Sequence, residues 1–503
     1  MEGRFIMYQL LDKDRATLLQ LLSHFYTLEK NYSYSEYAEF LGCDRRKIVK
    51  LVKLFKLDVD SNHWENMITI HATEKEVDVI IGNNFSLDFF YSHYMQQSIG
   101  FILCWEIFNN RFTTIQQFSN DVYMSRSSVY KRIQSLKTIL YRYNLNLDFS
   151  NPRIILGDEH QIRYFFYHLF SEAFQTNEWP FDSLNIDFIS TFSLSFQEIH
   201  PYISTPALIK FRLMIAIYLI RSQCNYWIDY INPHFHLTNI LIDFSNFKSV
   251  MQTFFKENKY FDEELSFLYF FLTTLDSIEL KYFETIDTMK LESISHYLEL
   301  SKKWIHLFCA FFDVFLQPKQ YFFLLTNLTY LHHQIHTLKG HSTTMDHSMF
   351  ASNPSISQTL HFRSLSDFYK SLKTEDIFSQ LFKLNPSLDL SYTLLTRDII
   401  KTIYPPLNVL IYSKINSEQQ NWLAELICTS VQIPIKKVAY LSEKPDIIIS
   451  DFPVHSFIKN KTPLTYFLCH SFPTKNELEQ LNELAERLYF RKEISTFIEV
   501  PNF

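Results

Sequence analysis

Glycine is scarce in this chain, and that scarcity restricts the folds open to it. Only six of the 503 residues are glycine. Because glycine supplies most of the positive-φ positions in tight turns and helix caps, so little of it predicts a mostly helical architecture. No two of the six lie close enough together to form a glycine-rich phosphate loop. We therefore expect neither a P-loop nor a Rossmann-type nucleotide site.

Two basic segments near the N-terminus stand out in a chain whose formal net charge is −7. Arg45–Leu57 holds six Lys and Arg residues, Val122–Leu147 holds five, and neither contains Asp or Glu. Each follows a short amphipathic stretch and a break, and each precedes strand-like sequence, which is the order of elements in a winged helix-turn-helix. Since residues 1–150 hold 17 basic and 17 acidic residues, affinity for DNA would come from these local faces.

The first segment has the small residues that a helix-turn-helix needs. Ala38 stands where the two helices would cross, and Gly42 stands in the turn between them. The positions predicted to be buried are Tyr37, Leu41, Cys43, Ile48 and Leu51. The positions predicted to face phosphates and base edges are Arg45, Arg46, Val49, Lys50 and Lys53.

The second segment repeats this pattern with one substitution. Ser119 is the small residue at the crossing, but Tyr123 stands where the turn usually has glycine. The positions predicted to be buried are Phe118, Val122, Met124, Val129, Ile133 and Leu136. The positions predicted to face outward are Ser125, Arg126, Ser127, Tyr130, Lys131 and Gln134. The alternative, that both segments are only solvated basic helix faces, stays open.

Flanking sequence completes two predicted N-terminal domains, at 1–72 and 73–157. In the first, Leu10–Tyr26 has helical periodicity, and Leu57–His71 is predicted to be a hairpin around the sequence DSNH. A helical linker at about Phe85–Asn110 leads into the second, where a turn at Ser150–Pro152 separates two strand-like runs. Each domain is thus expected to carry a wing.

The remaining sequence predicts two helical bundles, at 158–280 and 281–400, and an α/β domain at 401–503. Amphipathic helical patterns fill the bundles, and a polar stretch at Gly340–Ser357 is predicted to be a loop. In the last domain, apolar β-branched runs alternate with helical patterns, which indicates a largely parallel sheet. The predicted strands are Asn408–Tyr412, Ile433–Leu441, Asp446–Ile449 and Thr465–Cys469, and the predicted helices are Ser417–Val431 and Lys475–Arg491.

Cysteine usage and hydropathy bear on the compartment. The six cysteines are scattered without a CxxC pair, which favours reduced thiols over a disulfide framework or a zinc ribbon. The N-terminal residues carry charges where a signal peptide needs an apolar run, and no stretch approaches the ~20 apolar residues of a membrane span. We therefore predict a soluble cytoplasmic protein without a membrane partner, a cofactor or a metal.

At the level of its motifs, the chain resembles the Mga/AtxA family of virulence regulators from Gram-positive bacteria. The resemblance rests on SNDVYMSRSSVYKRIQSLK, on NLDFSNPRIILGDEHQIRYFFYHLF and on the helical stretch TPALIKFRLMIAIYLIRSQ. It implies two winged helix-turn-helix domains, two helical domains of the type regulated by the sugar phosphotransferase system (PRD-like), and a C-terminal domain like a phosphotransferase IIB component (EIIB-like). It also implies an activator, at times a repressor, that binds double-stranded promoter DNA as a homodimer or higher homo-oligomer.

The same resemblance implies that phosphohistidines tune dimerisation, with a phosphocarrier of the phosphotransferase system as a partner. The candidate acceptors are His200, His234 and His236 in the first bundle and His332, His333 and His336 in the second. His332 and His336 would share a helix face, but no HExxH motif supports a metal site there. In the last domain Ser413 and Lys414 follow the first strand where active transporters carry a phosphorylated cysteine, so this domain is expected to serve dimerisation or docking.

Three other functions remain as alternatives to a DNA-binding regulator. A phosphotransferase component would need a nucleophilic cysteine after the first C-terminal strand or a strong histidine motif. An RNA-binding antiterminator would carry small β-rich RNA readers, whereas residues 1–150 are predominantly helical in pattern. A helical scaffold could use the basic faces to bind acidic proteins. We predict that the chain is not an enzyme.

Overall fold

The computed structural model describes residues 7–27, 32–82, 86–174, 179–199, 203–230, 232–235, 242–284, 297–340, 360–403, 406–431, 433–454 and 465–498. The chain divides into two compact units. One unit comprises Met1–Ile305, Tyr321–Ser348 and Ile377–Leu388, and the other His306–Gln320, Met349–Asp376 and Asp389–Phe503. Most of the described residues are helical, which confirms the mostly α architecture expected from so little glycine.

The first N-terminal head has three helices and a three-stranded antiparallel sheet in the order β1-β3-β2. After a 3-10 turn at Met7–Leu10, its elements are α1 Lys13–Thr27, β1 Tyr32–Ser33, α2 Tyr34–Phe40, α3 Arg45–Ser61, β2 Ile68–Ala72 and β3 Glu76–Ile81. Strands β2 and β3 form a hairpin in which Ile68 pairs with Ile81 and Ala72 with Val77. This is the arrangement of a winged helix.

The hairpin predicted at Leu57–His71 is wrong, because residues 57–61 continue helix α3. The apolar and acidic residues alternate there as in a strand, but Asp58 points inward beside Val59. The Asp58 carboxylate forms an ion pair with Arg15 and accepts a hydrogen bond from the Tyr94 hydroxyl at 2.8 Å. These distant partners stabilise the helical conformation, and the wing forms at 68–81 instead.

The second head repeats the helix-turn-helix of the first at a constant distance along the chain. Its elements are α4 Leu87–Gln97, α5 Ile99–Phe108, α6 Ile115–Asp121, α7 Arg126–Arg142, β4 Asn146–Leu147 and β5 Ile155–Leu156. Helices α6 and α7 have the same lengths as α2 and α3, 7 and 17 residues. The predicted turn at Ser150–Pro152 lies between β4 and β5, which pair antiparallel as a short wing.

Helices make up the central part of the chain, as predicted. They are α8 Glu159–Phe174, α9 Ile186–Ile199, α10 Thr205–Gln223, α11 Phe244–Phe254, α12 Phe261–Thr274, α13 Leu298–Phe312, α14 Pro318–Thr337, α15 Leu360–Leu372, α16 Asp376–Leu384 and α17 Leu388–Ile403, with 3-10 turns at Pro233–Phe235 and Leu280–Glu284. Phenylalanines fill the core of α9–α11, where the Phe192 ring lies 5.0 Å from Phe196 and 5.2 Å from Phe254. The polar stretch predicted to be a loop lies, apart from Gly340, outside the described residues.

A buried ionic cluster joins three of these helices to the second wing. The Glu159 carboxylate on α8 accepts hydrogen bonds from Arg221 on α10 at 2.7 and 2.8 Å, and it also pairs with Arg163 and with the wing residue Arg153. Arg163 in turn pairs with Glu264 on α12. Burial alone would raise the pKa of Glu159, but the charges and hydrogen bonds of the arginines outweigh it and lower the pKa to about 2.

The C-terminal part forms a four-stranded sheet in the order β7-β6-β8-β9, with every neighbouring pair parallel. Its elements are β6 Leu407–Tyr412, α18 Ser417–Ser430, β7 Ile435–Val438, β8 Ile447–Ser450, β9 Thr465–Leu468 and α19 Lys475–Ile498. Leu410, Val438 and Ile448 are buried together on the sheet. The predicted parallel sheet near the C-terminus is confirmed.

Replacing Glu159 with Gln should lower the free energy of unfolding by about 3–5 kcal/mol at pH 7, because Arg221 would stay buried without its anion. Since the folded-state pKa of about 2 lies below the ordinary 4.5, the stabilisation is full above pH 4.5 and is lost as pH falls toward 2. Urea unfolding of both proteins from pH 7 to pH 3 should show the difference shrinking. The variant K370A is the control, because it removes an ion pair, Lys370–Asp367, that is exposed to solvent. A difference that stays constant with pH would contradict this assignment.

Candidate nucleic-acid interface

The turn between α2 and α3 holds the first helix-turn-helix in shape. Gly42 adopts φ +59°, a left-handed conformation that suits glycine. The next amide, that of Cys43, donates to the carbonyl of Ala38 at 2.9 Å. Asp44 then caps α3 by accepting a hydrogen bond from the Lys47 amide at 2.9 Å. The turn thus fixes the direction in which the basic helix α3 leaves.

The turn between α6 and α7 has the same geometry 81 residues further along the chain. This offset is the distance in sequence between Asp44 and Ser125, which cap the starts of α3 and α7. Tyr123 takes the place of Gly42 with φ +53°, and Met124 donates to the carbonyl of Ser119 at 3.0 Å. The left-handed conformation costs a tyrosine about 1–2 kcal/mol of conformational free energy, a cost that glycine avoids because it has no Cβ. The turn forms despite this cost, and the Tyr123 side chain is almost fully exposed.

We call α3 and α7 the two basic helices. Their apolar undersides, together with apolar residues of the helix and turn before each of them, are buried or half-buried, as the spacing predicts. In the first copy Tyr37, Ala38, Ile48 and Leu51 are buried, and Leu41 and Cys43 are half-buried. In the second copy Phe118, Ser119, Val129, Ile133 and Leu136 are buried, and Val122 and Met124 are half-buried. The core extends further than predicted, since Phe55 and Leu140 are also buried.

The opposite faces of the two basic helices carry the residues predicted to contact DNA. Arg45, Arg46, Lys50 and Lys53 are exposed on α3, while Val49 is half-buried. Ser125, Arg126, Ser127, Tyr130, Lys131 and Gln134 are exposed at the start of α7 and along it. Each face continues with further exposed cations, namely Lys56 on α3 and Lys137 and Arg142 on α7. Both faces are therefore accessible to a polyanion.

The cations of the two helices differ in how they are held. On α3, Lys50 forms an ion pair with Asp14 at 2.7 Å, and the Arg45 guanidinium donates to the Glu74 carbonyl in the wing turn at 2.6 Å. The hydrogen bond from Lys50 lowers the pKa of Asp14 below its ordinary value. Within the described part of the chain, Arg126 and Lys131 on α7 form no ion pair. Among the described residues, no carboxylate therefore competes through an ion pair for these two cations.

The candidate histidines differ in accessibility. His332 and His333 are buried, His332 beside the Ser301 hydroxyl at 2.9 Å and His333 donating from Nε2 to the His234 carbonyl at 2.7 Å. His234 is exposed on its 3-10 turn, and the half-buried His336 stacks on Tyr297. Burial lowers the pKa of His332 to about 3. His200 and His236 lie outside the described residues.

The loop after the first C-terminal strand is closed by an internal carboxylate. The Lys414 amide donates to Oδ1 of Asp451 at 2.7 Å, and the Ser413 hydroxyl donates to Oδ2 at 3.0 Å. Asp451 follows β8, so this contact joins the carboxyl ends of the two central strands. The Ser413 hydroxyl and the Lys414 amide are thus already engaged with a carboxylate of the protein itself.

No described helix combines the length and apolar character that crossing a bilayer requires.

Comparison with known proteins identifies the domain type of the second head and the relatives of the chain. Residues 83–170 match the Mga helix-turn-helix domain, a range that contains α4–α7, the second wing and most of α8. The chain is 25% identical over 269 residues to a "Putative trans-acting regulator" of Streptococcus pneumoniae serotype 4. It is 23% identical over 185 residues and 22% over 293 residues to the capsule synthesis positive regulators AcpA and AcpB of Bacillus anthracis.

These alignments cover 52%, 36% and 58% of this chain and 52%, 37% and 59% of the three relatives, so the chain matches about half the length of the relatives. All three are named as regulators, and two as positive regulators. The chain therefore contains an Mga helix-turn-helix domain and is homologous to trans-acting and capsule-synthesis regulators, as the resemblance to the Mga/AtxA family predicts.

Proposed function

We propose that this protein is a transcription regulator, acting as an activator, that binds double-stranded promoter DNA through its two N-terminal heads. The observation that carries the proposal is the presentation of the two basic helices. Each is capped, packed on an apolar underside and left with a cationic face toward solvent. The Mga domain match and the names of the relatives support the same function.

In this proposal the second head makes the stronger contacts. Arg126 lies in the first turn of α7, the part of a recognition helix that reaches base edges, and an arginine can read guanine with two hydrogen bonds. Lys131 lies further along the exposed face, where it would contact a phosphate. The amides at the start of α7 also favour an anion, since the helix dipole is positive at this end.

The first head contributes a weaker, more electrostatic contact. Arg46 and Lys53 are exposed along α3, but Lys50 must leave Asp14 or share its charge to bind a phosphate. Arg45 is held against the wing by its bond to the Glu74 carbonyl. Arg45 and the wing are therefore proposed to contact the backbone together rather than to read bases.

We further propose that the parts after the two heads regulate them. The predicted boundary at 72/73 would cut the first wing between β2 and β3, so the first head is proposed to extend to Ile81 and the second to span 83–157. The domains proposed after them are 158–280 and 281–400, which are PRD-like, and 401–503, an EIIB-like domain that supports a homodimer. The exposure of His234 and the partial exposure of His336 make them the preferred acceptors for a phosphoryl group from a phosphotransferase-system phosphocarrier. His332 and His333 lack the access that such a transfer needs.

Replacing Arg126 and Lys131 together with Ala should weaken DNA binding by about 1–3 kcal/mol, because one base contact and one phosphate contact are lost. The probe is a set of duplexes enriched from a random-sequence library by the full-length protein, and the readout is fluorescence anisotropy at several salt concentrations. The slope of log affinity against log salt should also become shallower by about one phosphate equivalent. The variant K370A, which removes an exposed cation elsewhere, is the matched control. Wild-type affinity in the double variant would refute the proposed role of α7.

The acceptor assignment predicts which histidine substitutions matter. Incubation with phosphoenolpyruvate, enzyme I and the phosphocarrier should label the full-length protein, and H234A or H336A should lose a large part of the label. H332A should keep it, since that ring is buried against Ser301. Acid-labile phosphate measured by intact-protein mass spectrometry is the readout. Labelling that depends on His332 alone would contradict the assignment.

A further inference from the structure

A short segment at the start of the described chain, Met7–Arg15, contacts both basic helices. On the side of α3, Asp14 pairs with Lys50 at 2.7 Å. Its neighbour Arg15 forms an ion pair with Asp58 at the end of the same helix and lies over the Tyr94 ring at 4.6 Å. These contacts fasten the beginning of α1 to Lys50 on the exposed face of α3 and to the buried Asp58 further along the same helix.

The same segment also binds α7 of the second head. Nη1 of Arg132 donates to the Leu11 carbonyl at 3.2 Å, and Nη2 forms an ion pair with Asp12. The Arg132 side chain is largely buried, with 23% of its surface exposed. It therefore points away from the DNA-facing side of α7 and toward the segment.

Comparison of the two heads shows that this arginine departs from the repeat. At the 81-residue offset set by Asp44 and Ser125, Arg132 corresponds to Leu51 of the first head. Leu51 is fully buried in the core of its own head. The second head thus places a charged side chain at a core position and uses it to bind the segment next to it.

Gly100 provides a third anchor between the segment and the second head. A side chain at position 100 on α5 would place its Cβ 2.9 Å from the carbonyl oxygen and 3.0 Å from the Cα of Leu10. Contacts this short leave room only for glycine, so the backbones of α5 and of the 3-10 turn lie directly against each other. Met7 and Leu10 are buried in this contact region.

We propose that Met7–Arg15 is a rigid spacer that fixes the separation and orientation of the two basic helices, so that one protomer binds two elements of the same duplex at a single spacing. The proposal rests on the proposed DNA-binding function and adds its spacing rule. In it Asp12, Gly100 and Arg132 are positioning residues that contact no DNA. A rigid linkage of two heads strengthens binding only where both reach their elements at once.

The test measures how affinity depends on the distance between the two elements. The full-length protein first selects duplexes from a random-sequence library, and footprinting locates the protected elements. Insertions of 5 and of 10 base pairs between the elements then give three probes for each protein. Because 5 base pairs turn the second element to the opposite side of the helix, wild-type affinity should fall about tenfold or more on that probe.

Variants at Arg132 distinguish loss of the spacer contact from loss of the fold. R132L introduces the residue found in the first head, so the second head should keep its thermal midpoint while its anchor to Leu11 and Asp12 is lost. The ratio of affinities between the original and the 5-base-pair probe should then fall below about threefold. R132K keeps a cation that reaches Asp12 and should retain most of the wild-type ratio. K370A should leave the ratio unchanged.

The outcomes distinguish this inference from the proposed function. Enrichment of no duplex by the wild-type protein would refute DNA binding itself. Binding that is equally tight at every spacing would leave the function standing and overturn the spacer. A wild-type ratio in folded R132L would likewise overturn the role of Arg132. A reduced ratio in R132L that R132K restores supports the proposal.

Discussion

The burial of the apolar undersides of α3 and α7 is the interaction on which the rest of the arrangement depends. Ile48 and Phe55 in one head, and Val129 and Leu136 in the other, fix which side of each helix faces the protein. The remaining side of each helix must then face solvent, and it carries the basic residues. The turns before the helices set the angle at which those faces emerge, and each is closed by a backbone hydrogen bond to the carbonyl of Ala38 or Ser119. Any affinity for a polyanion follows from this separation of a buried apolar side and an exposed basic side on each helix.

Helix α8 connects the second head to the first bundle through both apolar and ionic contacts. Most of its side chains are buried, among them Glu159 and Arg163. The charge of Glu159 is stabilised by arginines from the wing, from α8 and from α10, so the wing loop and the bundle share one buried carboxylate. A change in the packing of α10 would therefore reach Arg153 in the wing without an intervening flexible linker. The first helical region and the second head are thus connected directly through Glu159 and its arginines.

Local pattern was enough to predict the two helix-turn-helix units, because Gly42, the small crossing residues and the helical spacing of apolar side chains all act over a few residues. Local pattern is not enough where partners distant in sequence determine the conformation. The alternation at 57–60 is typical of a strand, but Arg15 and Tyr94 stabilise Asp58 within a helix, and neither partner could be inferred from that stretch. Likewise, nothing near Arg132 in the sequence indicates its bond to Leu11, which lies 121 positions away. The histidines show the same limit, since only the packing distinguishes buried His332 from exposed His234.

If the exposed face of α7 lies against DNA in the complex, site-specific cross-linking from that face will capture the bound duplex. A photoreactive phenylalanine analogue placed at Tyr130, which is half exposed on that face, is irradiated in the presence of an enriched duplex. The same analogue at Tyr440, an exposed tyrosine of the C-terminal domain, is the matched control. We expect a strong protein–DNA adduct from position 130 and little from position 440. Equal adducts from both positions, or none from position 130 under conditions where the duplex is bound, would show that the exposed face of α7 does not lie against DNA.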